Sequence, residues 1–155
     1  MTEIIKHIVF SLLIGALTAM LLIGLVLWSP KLAGADEQTD MVAKVIAAEA
    51  CNQGEAGMIA VGNVIKNRVV AWHKTPYQIV TAKNQFYGFT AKNRDEIYQG
   101  CKKTADYVAA NLMTLPDITH GGMYFLLPYE HTRAWHGDKT VTIREHTFYK
   151  ERQSN

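Results

Sequence analysis

The chain has 155 residues, a length typical of one domain, so a second catalytic module is not expected. Its 16 Lys and Arg residues and 14 Asp and Glu residues leave a net charge of only +2 with no basic run, which argues against a nucleic-acid partner. Two cysteines without a CxxC pair exclude the framework of a disulfide-rich mini-protein. Charged residues make up 19%, less than the usual proportion of about a quarter, and the deficit lies in the N-terminal segment.

The N-terminal segment contains an uninterrupted uncharged stretch at residues 8–28. As a helix this stretch would be about 31 Å long, which matches the hydrocarbon core of a bilayer. Lys6 and His7 precede it, and Asp36 and Glu37 follow it. This charge distribution favours a cytoplasmic N terminus and predicts that the chain from residue 36 onward lies outside the cytoplasm.

Two fates of this segment remain open. Residues 33–35 read Ala-Gly-Ala, the small-x-small pattern of a signal-peptidase site. The apolar stretch is longer than the roughly 7–15 residues of a signal-peptide core, and Trp28 stands where an interfacial anchor would. We therefore predict that residues 1–35 are a membrane anchor or a signal peptide. The domain at residues 36–155 is then inner-membrane anchored and facing the periplasm, or exported to the periplasm or cell wall.

The exported part begins with two predicted helices. The first covers about Asp40–Ala50, since cap-type residues precede apolar positions at helical spacing. Residues 51–54 then read as a turn. The second helix ends before Pro76, which cannot continue the hydrogen-bond ladder. Its apolar stripe consists of Met58, Val61, Ile65, Val69 and Trp72.

The rest of the chain changes from helix to strand. Residues 77–80 predict a short helical turn, residues 83–90 an irregular segment, and residues 95–112 a third long helix. Two strands are expected at residues 123–127 and 139–143, joined by a long polar loop. The predicted class is α+β, mainly α, with a small β-hairpin after the helices and a hydrophobic helix before them.

Glu49 occupies the apolar face of the first helix. It lies seven, four and three residues after Val42, Val45 and Ile46, so all four share one side. Glu is rarely buried unless it is paired or functional. Desolvation raises the pKa of a carboxyl group, as a general acid working near neutral pH requires. The alternative is that Glu49 leans outward at the helix end and binds a Lys or a loop N–H.

Other candidate chemistry is weaker. Glu55 lies in the first turn of the second helix, where it complements the helix dipole. The C-terminal part carries scattered histidines that could build the zinc site of an amidase or peptidase, although no HExxH motif is present. No P-loop, GxGxxG or GxSxG motif occurs, so neither a cofactor nor a metal is expected. The scattered histidines of the C-terminal part are His120, His131, His136 and His146.

Several motifs together resemble the SleB-type cell-wall hydrolase family over about residues 41–149. That family has an "EA" pair, a short turn and a helix reading roughly G-x-x-A-V-x-x-V-x-x-N-R, followed by "QF", "T-x-G-A-x-Y-F" and a closing "W…H-x-F-Y". The corresponding segments here are Glu49-Ala50, residues 54–68, Gln85-Phe86, residues 119–125, Trp135 and residues 146–149. Two positions depart from the pattern. The family usually has Asp-Pro-Thr where this chain has Asp117-Ile118-Thr119, and Gly where it has Arg144.

The resemblance implies a lysozyme-like fold and cleavage of the glycan backbone of peptidoglycan, with Glu49 as the catalytic acid. The sequence offers no obvious second carboxylate, which ordinary glycosidases need. A lytic transglycosylase can use one Glu, because a hydroxyl of the substrate itself captures the cleaved centre. Glu49 would then give a proton to the glycosidic oxygen and take one from that hydroxyl. Activity should fall as pH rises through the pKa of Glu49.

Aromatic and amide side chains of the matching segments suit a sugar-binding groove. Flat rings can stack on pyranose faces, and an amide can hydrogen-bond to acetamido or hydroxyl groups; for each ring the alternative is core packing. Asn63 and Asn67 are expected to tie loops to the scaffold instead. The candidate substrate-binding residues are Gln85, Phe86, Tyr87, Tyr124, Trp135, His146 and Tyr149.

We therefore predict a peptidoglycan-binding glycosidase, most simply a lytic transglycosylase, that contacts the membrane through residues 8–28. Two alternatives remain open: a metal-dependent N-acetylmuramoyl-L-alanine amidase, and a non-catalytic membrane-tethered wall-binding module. Cys51 and Cys101 are expected to pair in an oxidising compartment and to hold the end of the Glu49 helix; two buried thiols are the alternative.

Overall fold

The computed structural model describes residues 33–128 and 137–152. The apolar stretch at residues 8–28 and the candidate residue Trp135 lie outside the described residues. In the described part, no helix has both the length and the apolar composition needed to cross a bilayer. The domain presented below belongs to the structural unit at residues 34–155.

The helical part of the domain contains three long elements and three short ones. α1 begins earlier than the sequence predicts, and a single helical turn, α4, lies in the segment expected to be irregular. The remaining helices lie close to their predicted positions. The elements are α1 (Ala33–Ala50), a 3-10 turn (Cys51–Gln53), α2 (Gly54–Trp72), α3 (Pro76–Val80), α4 (Tyr87–Thr90) and α5 (Arg94–Ala110).

Local signals in the chain set the α2–α3 connection. α2 ends at His73, whose left-handed conformation (φ 52°) stops the helix. Thr75 then caps α3: its hydroxyl accepts the N–H of Gln78 at 3.2 Å, and the Gln78 side chain accepts the N–H of Thr75 at 2.9 Å. Pro76 follows at the first helical position, where its missing N–H costs nothing.

The core forms where the apolar faces of the long helices meet. Val42, Val45 and Ile46 of α1 are buried, as the periodicity predicts. Close helix packing depends on Gly62 of α2, where an added Cβ would lie 2.7 Å from the Val108 side chain of α5. The buried stripe of α2 includes Met58, Ala60, Val61, Val64 and Ile65.

A three-stranded antiparallel sheet follows the helices, where the sequence predicts a two-stranded hairpin. Its strands are β1 (Tyr124–Leu126), β2 (Asp138–Ile143) and β3 (His146–Lys150), in the order β1-β3-β2. The two predicted strands correspond to β1 and β2, and they do not pair with each other. The central strand, β3, is not predicted, because its five residues mix polar and aromatic side chains. It buries His146 and Phe148 on one face.

Candidate active site

An open cleft of about 960 Å³ lies at the C-terminal end of α1. Its walls come from the end of α1, the 3-10 turn, α4, one face of α5, β1 and the start of β3. Segments far apart in sequence therefore converge on the C-terminal end of α1. The side chains that give the cleft its chemical character are Glu49, Asn52, Tyr87, Asn93, Glu96, Phe125 and His146.

Glu49 lies half-buried in this cleft, at the next-to-last position of α1. The backbone N–H of Gly88, in α4, donates a hydrogen bond of 2.5 Å to Oε1 of Glu49. A donor at Oε1 fixes the plane of the carboxyl group. It also directs a proton on the neutral acid to Oε2.

The contact with Glu49 requires a glycine in α4. Gly88 is buried, and an added Cβ would lie 2.9 Å from the Cβ of Ala48, 3.0 Å from the carbonyl oxygen of Val45 and 3.1 Å from Oε1 of Glu49. Real Cβ atoms essentially never approach a neighbour as closely as the first of these distances. The absence of a side chain at residue 88 thus lets the α4 backbone lie directly against α1.

His146 and Tyr87 contribute to the cleft in different ways. His146 is 2% exposed, and its ring lies 4.8 Å from the ring of Phe125 and 6.2 Å from that of Phe148. Tyr87 is 79% exposed although it belongs to the cleft wall. His146 therefore forms part of an aromatic floor, whereas Tyr87 presents a ring to solvent at the rim.

Gln85 and Phe86 lie beside the cleft, not in its wall. Phe86 is 4% exposed, and its ring lies 6.3 Å from the ring of Phe125. Phe86 therefore packs in the core, which is the alternative to sugar binding for each aromatic candidate. Gln85 is exposed, and its side-chain oxygen accepts a hydrogen bond from Nη1 of Arg68 at 3.2 Å. Both line a neighbouring depression that shares Tyr87 with the cleft.

Tyr124 and Tyr149 face each other across the β1–β3 pair, outside the set of side chains that line the cleft. The Tyr124 hydroxyl donates to Glu151 at 3.0 Å. Burial, with the neighbouring Glu151 carboxylate, raises the pKa of Tyr124. Of the candidate substrate-binding residues that the structure describes, Tyr87 and His146 line the cleft.

The structure joins Cys51 to Cys101 in a disulfide with a Cα–Cα distance of 6.0 Å. Cys51 belongs to the 3-10 turn and to the cleft wall, and Cys101 lies at a kink in α5 where the backbone leaves helical geometry (φ −135°, ψ 23°). The bridge thus links the end of the Glu49 helix to the α5 wall of the cleft.

A second carboxylate, Glu96, lines the same cleft from α5. The sequence does not reveal it, because Glu96 lies far from Glu49 along the chain and only the fold brings the two helices together. Glu96 is exposed, and Asn93 lies one helical turn before it on the same wall. The helical spacing of Asn93, Glu96, Ile97 and Gly100 is the signal that could have placed them on one face.

Gln53 fastens the 3-10 turn to the sheet, another contact that the sequence does not predict. Its side-chain amide is buried, donates to the Glu145 carboxylate at 2.9 Å and accepts the Glu145 backbone N–H at 3.0 Å. This reciprocal pair joins residues 92 positions apart. It holds the β2–β3 turn, and with it His146, beside the end of α1.

The two asparagines of α2 tie a loop to the scaffold, as predicted. Asn63 accepts the N–H of Ile118 at 2.8 Å, and Asn67 donates to the carbonyl oxygen of Gly122 at 3.0 Å and to Asp117 at 3.2 Å. Burial alone would raise the pKa of Asp117, but hydrogen bonds from Thr119, Gly121 and Asn67 outweigh it and lower that pKa. The loop before β1 is therefore held in place from α2.

Glu55 is exposed in the first turn of α2 and does not line the cleft. Within residues 33–128 and 137–152, no group of three or more His, Cys, Asp and Glu side chains is arranged to hold a metal ion. Two of the histidines considered for a zinc site, His131 and His136, lie outside the described residues.

The domain is thus a mainly helical fold in which a half-buried carboxylate and aromatic side chains line an open cleft. Residues 52–149 match the family model described as Cell Wall Hydrolase, and the chain belongs to that family. The matched segment begins three residues after Glu49. No curated protein sequence gives a significant match.

Two solved structures have a similar fold. The catalytic domain of the Bacillus cereus SleB protein is 22% identical, with a TM-score of 0.63, over 74% of this chain and 91% of that one. The catalytic domain of the germination-specific lytic transglycosylase SleB from Bacillus anthracis is 25% identical, with a TM-score of 0.60, over 73% of this chain and 93% of that one. The family that the sequence motifs resemble is therefore confirmed.

Proposed function

We propose that the protein cleaves the MurNAc-GlcNAc backbone of peptidoglycan as a lytic transglycosylase, with Glu49 as its catalytic acid and base. Membership of the cell wall hydrolase family supports the substrate, and the Bacillus anthracis protein of similar fold is itself a lytic transglycosylase. The observation that carries the proposal is the position of Glu49, half-buried in an open cleft with Oε1 held by the Gly88 N–H. We also propose that the fold is lysozyme-like.

The reaction needs one proton to leave Glu49 and one to return. The neutral acid gives its proton to the glycosidic oxygen as the bond between that oxygen and the anomeric carbon breaks. A hydroxyl of the same sugar then attacks the anomeric carbon, and its proton passes to the Glu49 carboxylate. The products are an anhydro sugar end and a free hydroxyl on the leaving strand. No water is consumed, and Glu49 is again neutral.

The cleft also suits an extended sugar chain. Tyr87, exposed at the rim, offers a ring face for a pyranose, and the side-chain amides of Asn52 and Asn93 offer both donors and acceptors. Gln85, Tyr124, Tyr149 and Trp135 stay candidates for contacts further along the strand.

The position of Glu96 in the cleft wall favours hydrolysis as a second candidate reaction. A carboxylate that shares the cleft with the catalytic acid can take a proton from water, which then attacks the anomeric carbon as in inverting glycosidases. This muramidase reaction leaves a reducing end instead of an anhydro end. We place it second because one carboxyl group suffices for the transglycosylase reaction.

Mass spectrometry of peptidoglycan digested by the full chain and by Glu96→Gln separates these reactions. We expect anhydro ends from both proteins. Reducing ends from the wild type and their loss in Glu96→Gln would establish the hydrolytic reaction. Release of free peptides that a chelator stops would establish the metal-dependent amidase, and binding without any product would establish the non-catalytic module.

We further propose that residues 1–35 carry the domain at residues 36–155 out of the cytoplasm and that residues 8–28 contact the membrane. The uncharged stretch and the charges on either side of it support this proposal. A reporter that works only in the cytoplasm, fused after Asn155, should be inactive, and a reporter that works only outside it should be active. The reverse pattern would refute export.

A further inference from the structure

Arg68 of α2 is a buried cation that bonds to neutral groups. It is 4% exposed; its Nε donates to the carbonyl oxygen of Met123 at 2.7 Å and its Nη1 donates to Gln85. Among the described residues, no carboxylate forms an ion pair with it. Burial lowers the pKa of Arg68 to about 10, partly offset by Tyr124. The guanidinium lies 5.2, 5.1 and 5.0 Å from the rings of Trp72, Phe86 and Tyr124.

A buried charge without an opposite charge is a costly way to stabilise a fold. What a guanidinium provides is geometry: a planar group whose donors point in fixed directions and whose faces stack on rings. Lys carries the same charge but lacks the forked arrangement of donors and the planar group. The environment of Arg68 therefore indicates a role that depends on direction rather than on charge.

Both hydrogen bonds of Arg68 lead to the cleft. Gln85 is followed by Phe86, Tyr87 and Gly88, and the N–H of Gly88 donates to Glu49. Met123 is followed by β1, where Phe125 lies in the cleft wall against His146. One side chain thus braces the segment that delivers the Gly88 N–H and the strand that forms the aromatic floor.

We propose that Arg68 is a positioning residue for Glu49: it fixes the segment at residues 85–88 so that the Gly88 N–H meets Oε1 of Glu49. Its effect on catalysis rests on the function proposed above. Its effect on the Gly88–Glu49 contact does not, and can be measured without substrate.

The test compares Arg68→Lys with Arg152→Lys in the full chain. Arg152 has a side-chain exposure of 63%, pairs with Asp138 and takes no part in the contacts of Arg68, so it controls for the chemical change itself. Hydrogen exchange of the peptide containing residues 86–90, resolved to single amides, reports the Gly88 N–H. We expect about tenfold faster exchange there in Arg68→Lys, the loss of roughly one net hydrogen bond. The control should exchange like the wild type.

The pH profile of peptidoglycan cleavage gives a second readout. Loss of the Gly88 donor disfavours the charged form of Glu49 and so raises its pKa. Because the acid must be protonated to act, the alkaline fall in activity should move to higher pH in Arg68→Lys. Among the described residues, the other titratable groups that line the cleft with Glu49 are Glu96 of α5, Tyr87 of α4 and His146 of β3, and none of them is altered. A purely structural loss would lower activity by the same factor at every pH.

Gln85→Leu provides a second variant if Arg68→Lys fails to fold. It removes the acceptor of the Nη1 hydrogen bond at an exposed position. Exchange at residues 86–90 should become faster, by a smaller factor than in Arg68→Lys. Faster exchange with a shifted pH profile supports the proposal. Wild-type exchange and an unshifted profile in both variants would overturn it. If the wild type cleaves no peptidoglycan, the function proposed above fails, and exchange alone decides the role of Arg68.

Discussion

At the scale of single residues, the site depends on one close approach between two backbones. Gly88 can donate to Glu49 only because α4 lies against α1, and that approach depends on the missing side chain. The periodicity of Val42, Val45 and Ile46 predicts which side of α1 carries Glu49. It cannot predict the partner, because the contact joins residues 39 positions apart that only tertiary packing brings together.

Gly88→Ala should therefore damage both the site and the fold. The added methyl group meets backbone and side-chain atoms of α1, so we expect a loss of about 1–3 kcal/mol in the free energy of unfolding. Peptidoglycan cleavage should fall by more than the unfolded fraction explains, because Glu49 loses its donor. Urea unfolding and a turbidity assay measure the two effects.

Gly100→Ala is the matched control for stability. No atom lies within 4 Å of the position that an added Cβ would occupy, and Ala is the better helix former, so this variant should unfold at the same or a higher urea concentration. Equal stabilities for the two variants would contradict the steric account of Gly88.

At the scale of elements, one departure from the family pattern lies in the β2–β3 turn. Arg144 and Glu145 form a two-residue connection between Ile143 and His146, and Arg144 has a φ of 55°. Type II′ hairpin turns need a positive φ at the first of their two central residues, which favours glycine. The family pattern has glycine at this position, and Arg144 occupies a conformation that glycine adopts more readily.

Arg144→Gly should consequently stabilise the domain. The left-handed conformation costs a residue with a side chain about 1–2 kcal/mol, and glycine removes this cost. The gain is larger than the stability lost because glycine makes the unfolded chain more flexible. We expect a gain of about 0.5–1 kcal/mol in the free energy of unfolding, measured by urea titration. Loss of stability would show that the Arg144 side chain makes a contribution larger than this strain.

The sheet illustrates why strands are harder to predict here than helices. The long helices carry apolar residues at helical spacing over many turns, so the predicted bounds of α2 and α5 agree with the structure to within a few residues. β3 has five residues that mix polar and aromatic side chains, and β1, one of the two strands that flank it, lies far from it along the chain. The acid on the apolar helix face, the fold class and the family motifs are therefore predictable from local patterns. The central strand and the second carboxylate are not, because both depend on contacts between distant segments.

At the scale of the whole molecule, several contacts fasten α5 beside α1, and two of them lie near opposite ends of α1. Toward the N-terminal part of α1, the Tyr98 hydroxyl of α5 lies 3.2 Å from Asp40 and 2.6 Å from Asp106. At the other end, the disulfide joins Cys51 to Cys101. Because α5 also forms one wall of the cleft, the position of that wall relative to Glu49 depends on both attachments.

Reduction of the disulfide should destabilise the whole domain. The bridge closes a loop with a sequence separation of 50 residues, and chain-entropy reasoning gives about 3–4 kcal/mol for a loop of this size. Urea midpoints of the exported protein with and without reductant measure the effect, and Cys101→Ala should not respond to reductant. Two alkylatable thiols in the denatured, unreduced protein would show that the cysteines do not pair.

The measurement that bears most directly on the proposed chemistry is the rate at which anhydro ends form from purified peptidoglycan. It compares the wild type with Glu49→Gln and with Glu55→Gln, a matched change at an exposed carboxylate outside the cleft. Glutamine keeps the shape of Glu49 but cannot cycle a proton, so we expect a loss of at least about 100-fold, while Glu55→Gln keeps nearly full activity. Normal formation of anhydro ends by Glu49→Gln, with loss in Glu55→Gln, would contradict the assignment of the catalytic acid.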